Sequence, residues 1–117
     1  MVTYMIPSCM DIQEYLDEQE RCPFRNWFDK LDVQAAAKVS TALTRLSLGN
    51  TSNTKSVGSG ILELKIDFGK GFRIYFGKDG EQLVILLAGG TKQRQQNDIA
   101  TAKLRWQNYK LRKKGRN

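Results

Sequence analysis

Glu63-Leu64-Lys65-Ile66-Asp67-Phe68-Gly69-Lys70-Gly71-Phe72-Arg73-Ile74-Tyr75-Phe76 is the stretch that decides the fold of this 117-residue chain. Up to Phe68 the residues alternate: Leu64, Ile66 and Phe68 point one way, and Glu63, Lys65 and Asp67 the other, the period of a half-covered strand. Gly69-Lys70-Gly71 makes a short turn, after which Phe72, Ile74 and Phe76 continue the apolar side and Arg73 and Tyr75 the polar one. Two antiparallel strands joined in this way gather Glu63, Lys65, Arg73 and Tyr75 on one side of a sheet. With helices covering the opposite, apolar side, that polar side is predicted to form an open concavity.

Downstream, Asp79-Gly80 is a hairpin turn signal, and Leu83 to Ala88 is apolar throughout, as expected of a central strand covered on both faces. Gly89-Gly90 is predicted to end that strand. Ile99, Ala102, Trp106 and Tyr109 then mark a last helix running into a basic tail. Upstream, Asn50 to Gly60 is polar and rich in Gly, Ser, Thr and Asn, and reads as a loop. Before it lie two helices. The first starts at Pro23 and buries Phe24, Trp27, Phe28 and Leu31; the second is capped by Asp32, faces inward with Ala36, Val39, Leu43 and Leu46, and stops at Gly49. Residues 11–17 fit a helical stripe or an edge strand equally well. The order predicts one α+β domain over residues 1–117, with a helical hairpin on one face of an antiparallel sheet and residues 113–117 as a frayed basic tail.

Lys and Arg number 19 against 12 Asp and Glu, a net charge of +7. The charge is polarised: residues 1–32 carry seven acids and three bases, and residues 103–117 seven bases and no acid. Such a basic end suits a polyanion, with Lys110, Arg112, Lys113 and Lys114 as docking cations; the plainer alternative is a solvated helix end. Histidine is absent. A histidine base, a Ser-His-Asp or Cys-His nucleophile and a His-ligated metal are therefore excluded. Cys9 and Cys22 are too few for a thiolate zinc site and read as free thiols of a reducing compartment. No secretory leader or long apolar run is recognisable, so a cytoplasmic protein without a membrane partner is expected.

On the polar sheet side, Lys92 and Arg94 are predicted to overhang the rim, with Lys55 approaching from the long loop. Ordinary cross-strand ion pairs, contributing about 0.2–1 kcal/mol each, are the alternative use of these residues. Trp27 and Trp106 sit at helical core spacing and read as packing. No phosphate loop and no acidic metal cluster is present, so no cofactor is expected. Without histidine, such a basic face could still cleave RNA through the 2′-hydroxyl. The reaction needs a proton acceptor, cations for the phosphorane and an acid for the departing 5′-oxygen.

Four runs carry a family resemblance: Cys22-Pro23-Phe24-Arg25-Asn26-Trp27, Leu43 to Asn50, the Glu63 to Phe76 block, and Leu86-Leu87-Ala88-Gly89-Gly90-Thr91-Lys92 with Asp98-Ile99 and Ala102. Together they resemble the RelE/ParE toxin superfamily, in its HigB-like (phage Gp49-like, addiction-module killer) branch. The resemblance implies a microbial-ribonuclease-like α+β fold with residues 11–17 as a first strand. It also implies a type II toxin: a metal-independent endoribonuclease (mRNA interferase) cleaving mRNA on the ribosome, silenced by an antitoxin of helix-turn-helix, HigA-like type. By position Arg73 matches the strand arginine of the family active site, Lys65 a basic residue of the preceding strand, and Lys92 or Arg94 the basic residue after the last strand. Lys65, Arg73 and Lys92 are therefore the expected catalytic cations, while the strand pattern sets Lys55, Glu63, Tyr75 and Arg94 beside them for substrate. The sequence departs from the best-known RelE pattern in lacking a clear tyrosine after Lys92; Tyr75 and Tyr109 are the nearest candidates, which leaves the general base open. The superfamily also offers a ParE-like gyrase inhibitor or an inactive nucleic-acid-binding homologue.

Overall fold

The computed structural model describes residues 9–115. Strand β1 (Asp11–Glu14) is followed by helices α1 (Pro23–Phe28) and α2 (Val33–Ser47), strands β2 (Thr54–Gly58), β3 (Ile61–Ile66), β4 (Phe72–Asp79) and β5 (Leu83–Thr91), a 3₁₀ turn (Lys92–Arg94) and helix α3 (Gln95–Lys114). The five strands form one sheet in the order β1-β5-β4-β3-β2. β1 runs parallel to β5 and the other neighbours are antiparallel. The sheet is therefore mixed, and the antiparallel expectation needs that correction at its β1 edge.

Local chemistry sets the helices. Pro23 occupies the first turn of α1, and the Asp32 carboxylate accepts from the Ala35 amide (2.8 Å) to cap α2. Gly49, at φ +95°, supplies the left-handed residue that turns the chain out of α2. α1 lies against β5 and α2 against β3, enclosing Phe24, Val39, Leu46, Leu64, Ile66, Ile74, Phe76 and Leu86. Ala35 rather than Ala36 is the buried alanine of α2.

Three further expectations change. The segment read as a loop contains β2, an outer strand whose exposed residues carry no clear alternation. β5 does not end at Gly89-Gly90 but runs through both to Thr91. A Cβ at Gly89 would lie 2.3 Å from the Trp27 indole and one at Gly90 1.8 Å from the Asp98 carboxyl, so these glycines let α1 and α3 close onto the strand. Finally, the helices do not share one face. α3 covers the side opposite α1 and α2, packing Ala102 and Trp106 over Tyr15, Ile61, Tyr75, Ile85 and Leu87. Trp106 lies directly over Gly77, where a Cβ would be 2.6 Å from the indole.

Candidate functional site

The pairing of β3 and β4 sets Lys65 opposite Arg73 and Glu63 opposite Tyr75, as alternation predicts. The face is not open along its length, however. α3 buries Tyr75 completely and leaves Glu63 2% and Arg73 5% exposed. Only the end near the Gly69–Gly71 turn remains a concavity, about 300 Å³, lined by Lys65, Lys70, Arg73 and Lys92 with Asp67 and the turn backbone. The Lys92 amide donates to the Gly71 carbonyl (3.2 Å), tying the end of β5 to this turn. Four cations thus face one hollow open to solvent, against a single, highly exposed carboxylate.

Behind the hollow a buried carboxylate holds Arg73. Its Nε lies 3.5 Å from Glu63 Oε1, and its Nη1 donates to the Phe72 carbonyl (3.2 Å). Gln95 Nε2 donates to the other Glu63 oxygen at 2.6 Å, and Lys55 Nζ stands 3.8 Å from Oε1. Glu63 thus has one short hydrogen bond, from Gln95, and two cations facing it, the kind of partners a buried charge needs. Arg73 Nε makes no hydrogen bond of good geometry among the described residues. Burial raises the Tyr75 phenol well above its ordinary range, and the Glu63 and Asp98 charges push it further. A phenol so held is neutral and enclosed, unsuited to meeting substrate directly.

Of the residues singled out from sequence, Lys65, Arg73 and Lys92 therefore meet. Lys55 and Glu63 lie behind them as partners of the ion pair, and Tyr75 lies beneath. Arg94 points elsewhere, into a second hollow with Trp27 and Asp98. Among the described residues the C-terminal cations lie on other contacts. Lys110 lies over the Trp106 ring (5.7 Å), Arg112 donates to the Leu16 carbonyl and covers Tyr15, and Lys113 pairs with Asp79. Asp79 and Arg73 are at opposite ends of β4, six residues or roughly 20 Å apart at about 3.3 Å per residue. Lys114 is exposed on the last turn of α3, and Arg116 lies outside the described residues. None of Lys110, Arg112 and Lys113 lines the first hollow.

Lys70 and Gln95 are constituents that sequence reasoning passed over. Lys70 was legible as the cation inside the glycine turn. Gln95 was not, because its role depends on α3 crossing the far face. Among the described residues no group of three His, Cys, Asp or Glu side chains converges, and no helix is long and apolar enough to cross a membrane.

A family model described as "Phage derived protein Gp49-like (DUF891)" matches residues 26–110, from within α1 to within α3, and takes in the lining of both hollows except Pro23. The chain belongs to this Gp49-like family. The family is toxin-like and related to the RelE/ParE addiction-module killers. An uncharacterized protein of Haemophilus influenzae (strain ATCC 51907 / DSM 11121 / KW20 / Rd) is 46% identical over 82 residues, 69% of this chain and 83% of its own length. In this Gp49-like chain the family match takes in Lys65, Arg73, Lys92 and Asp98 together.

Proposed function

We propose that this chain is the toxin of a type II toxin–antitoxin pair, a HigB-like, RelE-type endoribonuclease that cuts mRNA on the ribosome without a metal. It acts in the cytoplasm, and a helix-turn-helix, HigA-like antitoxin neutralises it. The observation that carries the reading is the convergence of Lys65, Arg73 and Lys92 on one hollow, with Arg73 pre-set by a buried carboxylate. A binding-only inhibitor has no use for a guanidinium fixed in this way.

In this reading the 2′-oxygen of the substrate attacks the adjacent phosphorus and the bond to the 5′-oxygen breaks, leaving a 2′,3′-cyclic phosphate and a 5′-hydroxyl. Arg73 carries the charge that develops on the phosphorane, as a preorganised donor does. The side of its guanidinium that lines the hollow supplies the contacts. Lys65, on the neighbouring strand, faces the attacking oxygen as proton acceptor or charge stabiliser. Lys92, anchored through its backbone to the glycine turn, neutralises the departing 5′-oxygen and gives it the proton of the new 5′-hydroxyl. Glu63 and Gln95 position Arg73 and do not touch substrate.

Inducing the protein in cells while mapping RNA 5′ ends and DNA integrity tests this. Cuts within translated messages with intact DNA are expected. Broken DNA with intact messages would instead indicate a gyrase poison, and binding without either effect a nucleic-acid-binding homologue.

A further inference from the structure

The second hollow, about 390 Å³, opens on the far side of the β5 end from the first, with Trp27, Gly90, Arg94, Asp98, Thr101 and Arg105 in its wall. β1 pairs only with Leu83 to Leu86, so no described strand covers β5 beyond that point on this edge. Gly90 is the register partner of Arg73, which makes the two hollows neighbours across the last residues of β5. Trp27 and Asp98 close on the strand from opposite faces, each over its own glycine. Asp98 Oδ2 is buried without a hydrogen-bond partner among the described residues. Arg105 is held in place by donating to the Leu87 carbonyl at 2.7 Å.

We infer that this hollow is a nucleobase subsite, in which Trp27 provides a ring wall and the Asp98 carboxylate accepts from the Watson–Crick edge of guanine. The inference rests on the ribonuclease reading above, since it supplies the base that belongs to a phosphate in the adjacent hollow. Three observations carry it. The wall combines an aromatic ring with arginines, the surfaces on which an unstacked base settles. An ionised carboxylate only accepts hydrogen bonds, and guanine alone among the four bases offers two adjacent donors, its N1–H and N2–H₂. Arg94 and Arg105 flank the carboxylate and favour its ionised form against the burial that opposes it. Asp98 is also the sole acid in this wall, so a base that presents an acceptor at N1 or N3 meets the carboxylate unfavourably.

Titrating the full-length, ¹⁵N-labelled protein with GMP, AMP, CMP and inorganic phosphate tests the assignment. GMP is expected to shift the Trp27 indole and the Gly89, Gly90 and Asp98 amides at least tenfold more tightly than AMP or CMP. Asp98→Asn should lose that preference, and Trp27→Leu should weaken all nucleotides, the spectra themselves reporting that both variants are folded. Equal binding of the three nucleotides, the same shifts from phosphate alone, or no shifts at all would overturn the inference. The last result would also fit an extended peptide along the uncovered β5 edge. Cleavage of RNA with no preference for guanine in wild type or Asp98→Asn would overturn the base assignment and leave the ribonuclease reading standing. Guanine-selective binding by a protein that cuts no RNA would do the reverse.

Discussion

Removing the Arg73 side chain does two things at once. It takes a preorganised donor from the hollow, a loss of about 10²–10³ in rate if the donor meets the developing charge. It also strands Glu63, which is 2% exposed, in the interior. Breaking a buried pair costs about 3–5 kcal/mol, reduced here because Gln95 and Lys55 still face the carboxylate. Arg73→Ala is therefore expected to be inactive and less stable, and adding Glu63→Gln should restore stability without activity. Urea unfolding and message cleavage on the single and double variants check this. The pH response of Asp98 is a second consequence at this scale. Burial raises its pKa in the folded protein, with Arg94 and Arg105 opposing. The folded chain therefore holds that proton more tightly than the unfolded chain, and the group favours folding as pH falls through its raised pKa. Asp98→Asn should be the more stable protein at pH 7, its advantage shrinking toward pH 4. An advantage that grows with acidity in urea unfolding would contradict the shift. At this scale the sequence carried Lys65 and Arg73 through alternation alone. Asp98 was visible only as a residue of the family resemblance, because its partner Gly90 lies on another element.

At the scale of elements, α3 does most to shape the site: it closes the sheet face and delivers both Gln95 and Asp98. Its seating depends on Gly77, where Trp106 leaves no room for a Cβ. Gly77→Ala is expected to cost about 1–3 kcal/mol by overpacking, with a larger exchange of α3 amides than of α2 amides. Comparable protection of both helices in hydrogen exchange would place the strain elsewhere. The cap of α2, the glycine after it, the β3–β4 hairpin and the covered β5 were legible because each is decided by neighbours in sequence. The side taken by α3 was not. A helical stripe such as Ile99, Ala102 and Trp106 says that a face is buried, but not against which side of a sheet. β2 was missed because an exposed edge strand needs no alternation, and the parallel pairing of β1 with β5 because it joins segments distant in the chain.

Across the whole molecule the basic charge divides between two ends of the sheet. Lys65, Lys70, Arg73 and Lys92 face the first hollow, whereas Lys113 is committed to Asp79 at the other end of β4. Deleting residues 113–117 should therefore leave RNA affinity and its salt slope unchanged, while loosening the end of α3 by about 0.5–1 kcal/mol, the scale of an exposed pair. Replacing Lys70 and Lys92 by Gln should flatten the log–log salt dependence by about 0.7–0.9 for each phosphate no longer neutralised. Filter binding of a short RNA across a salt series separates the two regions. A slope that drops with the truncation and not with the lysine pair would move the substrate to the tail.

The convergence of cations on the first hollow is tested most directly at Lys65. Its side chain is half exposed and its ion partner, Asp67 at 3.7 Å, is still more exposed, so Lys65→Ala has little fold to disturb. The measurement is single-turnover cleavage of message on programmed ribosomes by wild type and Lys65→Ala, with thermal unfolding alongside. A rate reduced at least about 10²-fold at unchanged melting temperature, with wild type leaving 2′,3′-cyclic phosphate ends, is the expected result. Cleavage by Lys65→Ala at the wild-type rate would contradict the placement of the chemistry in this hollow.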